Sequence, residues 1–226
     1  MSISAPVSPP PLRDGDRLTS DEFMRRYEAT PDLKHVELID GIVYMPSPIS
    51  PEHGVFQCRL TTWVGVYVAN TPGCEGSDPL TWIMGERDVP EPDLSLWILP
   101  DRGGQSRLEG GYCAGAPELV VAVAVSSHAR DLGVKLKSYE RAGVREYVVA
   151  VVSESKLIWH VTQGGVFQTI EPDPDGILRS RCFAGLWLDP AALWGRDQSR
   201  MLAVLQQGIA SPEHAAFVES LATQKR

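Results

Sequence analysis

The run PELVVAVAVSSHARDLGVKLKSYERAGVREYVVAVV, from Pro117 to Val152, decides the architecture. Leu119–Val125 is an unbroken aliphatic segment, the pattern of a strand buried on both faces. Around Ala129–Ala142 the pattern becomes helical and basic, and Lys135 and Tyr139, four apart, share a face. EYVVAVV, from Glu146, is a second buried strand. Strand, helix and strand in this order make a parallel βαβ unit. The first strand is also notable for what it lacks: no carboxylate lies between Glu118 and Asp131, and Ala122 and Ala124 lie on one face.

Outward from this unit, local signals supply the rest. LTSDEFMRRYEA is a short helix, with Thr19 as cap and Glu22 completing a capping box. HVELIDGIVYM is a hairpin turning at Asp40-Gly41. After PSPISPEH a second helix starts at Ser50 and Pro51, with an apolar stripe of Val55, Phe56, Leu60, Trp63, Val64, Tyr67 and Val68. NTPGCEGSDP is read as a loop, LTWIM and DLSLWIL as strands, and DRGGQSRLEGGYCAGAP as a long Gly-rich surface loop. KLIWHVTQGGVFQTI is a hairpin turning at Gly164-Gly165. A short helix follows Asp189-Pro190, and SRMLAVLQQGI and PEHAAFVESLAT are weakly amphipathic helices. The fold class is α/β, a mixed central sheet flanked by helices. The expected organisation is a Pro-rich disordered tail (1–16), one domain (17–192) and a C-terminal helical extension (193–226).

A chain of 226 residues with net charge −8 and a pI near 5.1 is not built for non-specific duplex binding, which depends on Lys and Arg neutralising phosphates. A locally basic cleft beside acidic residues remains compatible with that balance. The start lacks the apolar core of a signal peptide, and the purest aliphatic run is far too short to span a bilayer. Cys58, Cys74, Cys113 and Cys182 show no CxxC spacing and read as reduced cytosolic thiols rather than a zinc site. The expected location is cytoplasmic.

Four features carry chemistry, and each has an ordinary explanation when taken singly. Asp93 follows Pro92 at the mouth of a buried strand, either a turn residue or a metal ligand held rigid on both sides. Glu37 sits on a hairpin strand, where alone it reads as an exposed residue of an alternating strand. His53 lies in the first turn of the second helix, either at the surface or touching an anionic substrate. The helix bearing His128, Arg130, Lys135, Lys137 and Arg141, with Arg145 just beyond, is either a solvated basic face or a source of charge for a phosphoryl transition state.

In this order the segments ELIDGIVYMPSPISPEH, VPEPDLSLWI and GAPELVVAVAVSSHARDLGVKLKSYERAGVREYVVAVV resemble the Uma-type restriction endonucleases of the PD-(D/E)XK nuclease superfamily, over roughly Thr19 to Trp187. The resemblance implies a restriction-endonuclease-like fold and a Mg²⁺- or Mn²⁺-dependent phosphodiesterase acting on DNA. It further implies Asp93 as the metal-binding aspartate, Glu37 as a helper acid that joins it at the metal, Lys135 as the lysine that orients water, and His53 and Tyr139 as site residues. Homodimerisation, common among nucleases, is an expectation.

The sequence departs from that pattern at one point. The family's PDLVVEVLSPS-like run places a second metal carboxylate where this chain has Ala122. Glu118 lies about 13 Å along the strand at ~3.3 Å per residue, too far to substitute. Glu91 and Glu86 are the nearer candidates, and Glu91 is taken as the third metal residue. The primary reading is therefore a Mg²⁺-dependent endonuclease impaired at Ala122. The alternative is an inactive nuclease-fold module that binds nucleic acid or a protein partner. A third reading gives the C-terminal helices an apolar seam for assembly, against the plainer expectation that they pack on their own domain.

Overall fold

The computed structural model describes residues 9–45, 47–125 and 128–224. Of the expected N-terminal tail, residues 1–8 lie outside the described residues. Within 9–16, Leu12 is buried beside Phe23, Val36 and Leu38.

Helix α1 (Ser20–Glu28) is capped by Thr19, whose hydroxyl accepts from the Glu22 N–H. The Glu22 carboxylate turns instead to Arg25 and Arg26. Strands β1 (Glu37–Ile39) and β2 (Ile42–Tyr44) form the expected hairpin, with Asp40 (φ 51°) and Gly41 (φ 76°) both left-handed, as a type I′ turn requires. Helix α2 (Pro51–Ala69) starts at Ser50, whose hydroxyl accepts from the His53 N–H. It buries Phe56, Leu60, Trp63, Val64 and Tyr67, a 3.6-residue stripe, whereas Val55 is exposed.

The segment expected to be a loop after α2 contains an edge strand, β3 (Cys74–Ser77), antiparallel to β5 (Leu94–Ile98). Its CEGS sequence has little intrinsic β preference; pairing along β5 imposes the conformation. Between them lies the short β4 (Trp82–Ile83). The Gly-rich segment is likewise not all loop: after a 3₁₀ turn it forms a hairpin of β6 (Arg107–Glu109) and β7 (Tyr112–Ala114), which joins β4 in a small three-stranded sheet. Gly110 and Gly111 form its turn, both at positive φ.

The βαβ unit is as expected. Strands β8 (Leu119–Ala124) and β9 (Glu146–Val151) are parallel and buried at every residue. Their crossover is α3 (His128–Arg130), a π-helical turn (Asp131–Lys135) and α4 (Leu136–Ala142) in succession, closed by Gly143 in the left-handed region. The hairpin β10 (Lys156–Gln163) and β11 (Val166–Ile170) completes a six-stranded sheet of order β11-β10-β9-β8-β5-β3, mixed because only β8 and β9 run parallel. β12 (Leu178–Arg179) and β13 (Trp187–Leu188) pair with each other.

The helices divide between the two faces of this sheet. α2 covers one, with the main core of Leu60, Trp63, Val121, Val123 and Trp159 between them. α4 covers the other, over Val120, Ala122, Ala124, Tyr139 and Tyr147. At full burial each large apolar side chain contributes about 1.5–3 kcal/mol. After α5 (Pro190–Trp194), α6 (Gln198–Ile209) and α7 (Pro212–Thr223) place Met201, Leu205 and Leu221 in the main core, so their apolar residues pack on their own domain. Among the described residues no helix is long and apolar enough to cross a membrane.

Candidate functional site

The site lies at one end of β8, where four elements meet. β1 is pinned to the segment before β5 by reciprocal backbone bonds between Leu38 and Val89, 2.7 and 3.0 Å. That pairing sets Glu37 beside Glu91, and the Glu91 N–H donates to the Glu37 carboxylate at 2.9 Å. Two residues on, Asp93 stands at the mouth of β5. One carboxylate oxygen accepts from the Val123 N–H of β8 at 2.7 Å, and the other lies 3.1 Å from His53 Nε2 in the first turn of α2. Lys135, from the π-helical turn, places Nζ 2.8 and 2.9 Å from the two Glu37 oxygens and 3.9 Å from Asp131. π turns re-phase a helix by one residue and occur often at functional sites.

These groups line a cavity of about 390 Å³ whose wall includes Glu37, His53, Glu91, Asp93, Asp131 and Lys135. Of the residues singled out in the sequence, Asp93, Glu37, His53, Lys135 and Glu91 are thus brought together. Tyr139 is not. It is buried in the core below, edge-on to Tyr147 at 4.9 Å, and burial raises its phenol well above the usual value. Glu86 lines a different hollow, and Glu118 is used structurally, accepting from the Ile98 and Gln105 N–H groups.

The cavity also takes in Asp131, Arg130, Tyr44 and His35, which the sequence does not mark as site members. Asp131 was readable, because it lies four residues before Lys135. Arg130 reads in the sequence only as part of a basic face; its guanidinium carbon sits 4.4 Å from the centre of the Tyr44 ring. His35 pairs with Glu91 at 3.1 Å and has a left-handed backbone (φ 56°), which no local sequence signal announces.

The ionisable groups of the site are paired with one another. Burial alone would depress the Lys135 ammonium, but Glu37 and Asp131 outweigh it and hold the group above its ordinary value. The hydrogen bond to Asp93 raises the His53 imidazole. Burial raises the Glu91 carboxyl, with His35 acting in the opposite direction.

The donor set can be tested against the cation that a nuclease of this fold would use. Oxygen donors suit Mg²⁺, but it needs several of them free and convergent. Here both Asp93 oxygens and both Glu37 oxygens already have protein partners, and Glu91 is paired with His35. Among the described residues no three His, Cys, Asp or Glu side chains converge as a metal-binding group. The strand register locates the deficit. Leu94 opposes Val121 and Ser95 opposes Val120, so one step further Asp93 opposes Ala122. Opposed residues of an antiparallel pair share a face. Position 122 therefore lies beside Asp93 on the α4 face, and there it contributes a buried methyl group to the cluster with Tyr139. As arranged, the residues do not fit a divalent cation.

Comparison with known proteins agrees with this topology. The crystal structure titled a putative nuclease belonging to DUF820 from Anabaena variabilis ATCC 29413 superposes with a TM-score of 0.62 at 18% identity, over 79% of this chain and 98% of that one. That likeness is one of fold. Among curated proteins none matches the chain. The family described as "Uma2: Putative restriction endonuclease" matches residues 20–191, from the start of α1 through β13 into α5. The chain belongs to the Uma2 family, whose restriction-endonuclease-like sheet it carries with alanine opposite the aspartate of the cleft.

Proposed function

We propose that this chain is a nuclease-family protein whose cleft receives a nucleic-acid backbone and whose phosphodiester hydrolysis is lost or slowed by several orders of magnitude. The carrying observation is Ala122 directly across from an Asp93 whose two oxygens are already bonded within the protein. Family membership supports a nucleic acid as the ligand. In metal-dependent nucleases the cation polarises the phosphoryl oxygen and lowers the pKa of bound water.

The protein's own groups account for the rest of the reading. Lys135 is held by Glu37 and Asp131, so it is positioned but not free to assist an attacking water. His53 holds Asp93 in place, and the Val123 N–H fixes the carboxylate to β8. The arrangement keeps the outline of a hydrolytic site while its charges answer one another.

A second reading retains hydrolysis, with Glu91 in place of the missing carboxylate. It is favoured by one observation: His35, the partner of Glu91, is exposed and carries a left-handed backbone, so their contact lies at the surface. Plasmid cleavage in Mg²⁺ and in Mn²⁺ separates the two. The proposal expects no nicking by the parent and nicking by Ala122→Glu, lost again when Asp93→Ala is added. Robust cleavage by the parent that Glu91→Gln abolishes would establish the second reading instead.

A further inference from the structure

Among the described basic side chains lining the cavity, Arg130 differs from the others. Lys135 answers Glu37 and Asp131, His53 answers Asp93, and His35 answers Glu91. Arg130 makes no ion pair among the described residues; its guanidinium lies over the Tyr44 ring, 4.4 Å from the centroid. Both residues line the same cavity. Stacking on an aromatic face fixes the guanidinium plane without consuming its N–H donors, which remain arrayed for a planar, two-oxygen acceptor.

The charge of the cavity decides where such an acceptor can sit. Its wall holds four carboxylates, Glu37, Glu91, Asp93 and Asp131, against two permanent cations, Lys135 and Arg130. With no cation added, a phosphate drawn deep among those carboxylates is repelled. The place for it is beside the cation that has no carboxylate of its own.

We infer that Arg130, seated over the Tyr44 ring, is the residue that grips a backbone phosphate of a nucleic-acid strand in this cleft, by paired N–H donation to two phosphate oxygens. The inference rests on the nucleic-acid reading above and adds to it the binding group. It assigns Tyr44 a positioning role through its ring, which the hydroxyl does not share. It also separates binding from the carboxylates that a metal would need.

The test is fluorescence anisotropy of labelled single-stranded and duplex DNA and RNA oligonucleotides in EDTA, across a series of KCl concentrations. Thermal unfolding verifies that each variant folds. For Arg130→Gln, affinity for the preferred oligonucleotide should fall about tenfold, as for loss of a charge-assisted hydrogen-bond pair. The slope of log K against log salt should flatten by about 0.7 to 0.9, the loss of one phosphate contact. Arg130→Lys should restore the slope and only part of the affinity. Tyr44→Leu should weaken binding while Tyr44→Phe should not. Arg25→Gln, which removes one positive charge on α1, controls for net charge and should leave the slope unchanged. If the parent binds and Arg130→Gln matches it in affinity and slope, the assignment of Arg130 is wrong and the nucleic-acid reading stands. If the parent binds no oligonucleotide at the lowest salt, that reading fails and the Arg130 assignment falls with it.

Discussion

The Glu37–Lys135 pair offers a sharp test of whether the site's charged groups are committed to one another. Both side chains are only 12% exposed, and Nζ reaches the carboxylate at 2.8 Å. At an effective dielectric of about 20, unit charges at that separation attract by about 6 kcal/mol, a gross value from which desolvation must be subtracted. Breaking such a pair from one side costs about 3–5 kcal/mol, because the remaining charge is buried without its partner. Lys135→Met strands Glu37 and should cost close to that range. Glu37→Gln should cost less, since its amide oxygen still accepts from the Glu91 N–H and Lys135 keeps Asp131 at 3.9 Å. The double variant should then be more stable than the sum of the two losses implies, with a coupling of roughly 2 kcal/mol, well above the ~0.5 kcal/mol scatter of independent sites. Urea denaturation of the four proteins at one pH measures it. Additive losses within that scatter would show that the lysine is not committed to Glu37, and the picture of a locked site would be wrong.

Two further outcomes follow from other parts of the molecule. Because the folded His53 imidazole is raised above its unfolded value by Asp93, its stabilising contribution is complete below the unfolded pKa of about 6.5 and is lost as pH rises through the raised folded value. The stability gap between parent and His53→Gln should therefore be widest in mildly acidic buffer and narrow toward pH 9; a gap that widens with pH would refute the pairing. At the junction of α6 with β13, a Cβ on Gly208 would run into the Gly185 carbonyl oxygen and lie 2.8 Å from the Trp187 ring. Gly208→Ala should lower stability by about 1–3 kcal/mol, as overpacking does; an unchanged melting temperature would show that the C-terminal helices are not seated as described.

The legibility of this chain followed from how local each signal was. The βαβ unit was readable because burial on both faces makes β8 and β9 continuous aliphatic runs, and the β1–β2 and β10–β11 hairpins because Asp40-Gly41 and Gly164-Gly165 accept left-handed backbone. β3 was not, since CEGS becomes a strand only through β5. The β6–β7 hairpin had a readable turn in Gly110-Gly111, but its flanks are short and β6 is fully exposed, so no apolar alternation marked it. In the site, Asp93, Glu37, His53, Lys135 and Glu91 are legible in the sequence and share one cavity. Their mutual saturation was hidden, because whether a carboxylate is free depends on contacts such as Val123 N–H to Asp93 that link distant parts of the chain. Ala122 was visible as a missing charge. Only the register with β5 placed that absence directly across from Asp93.

The most direct test of the central claim is calorimetric titration of Mg²⁺ and Mn²⁺ into the parent, Ala122→Glu, and Ala122→Glu with Asp93→Ala. The account predicts no specific binding to the parent, a single site in Ala122→Glu, and its loss in the double variant. A stoichiometric site in the parent, abolished by Asp93→Ala alone, would contradict it.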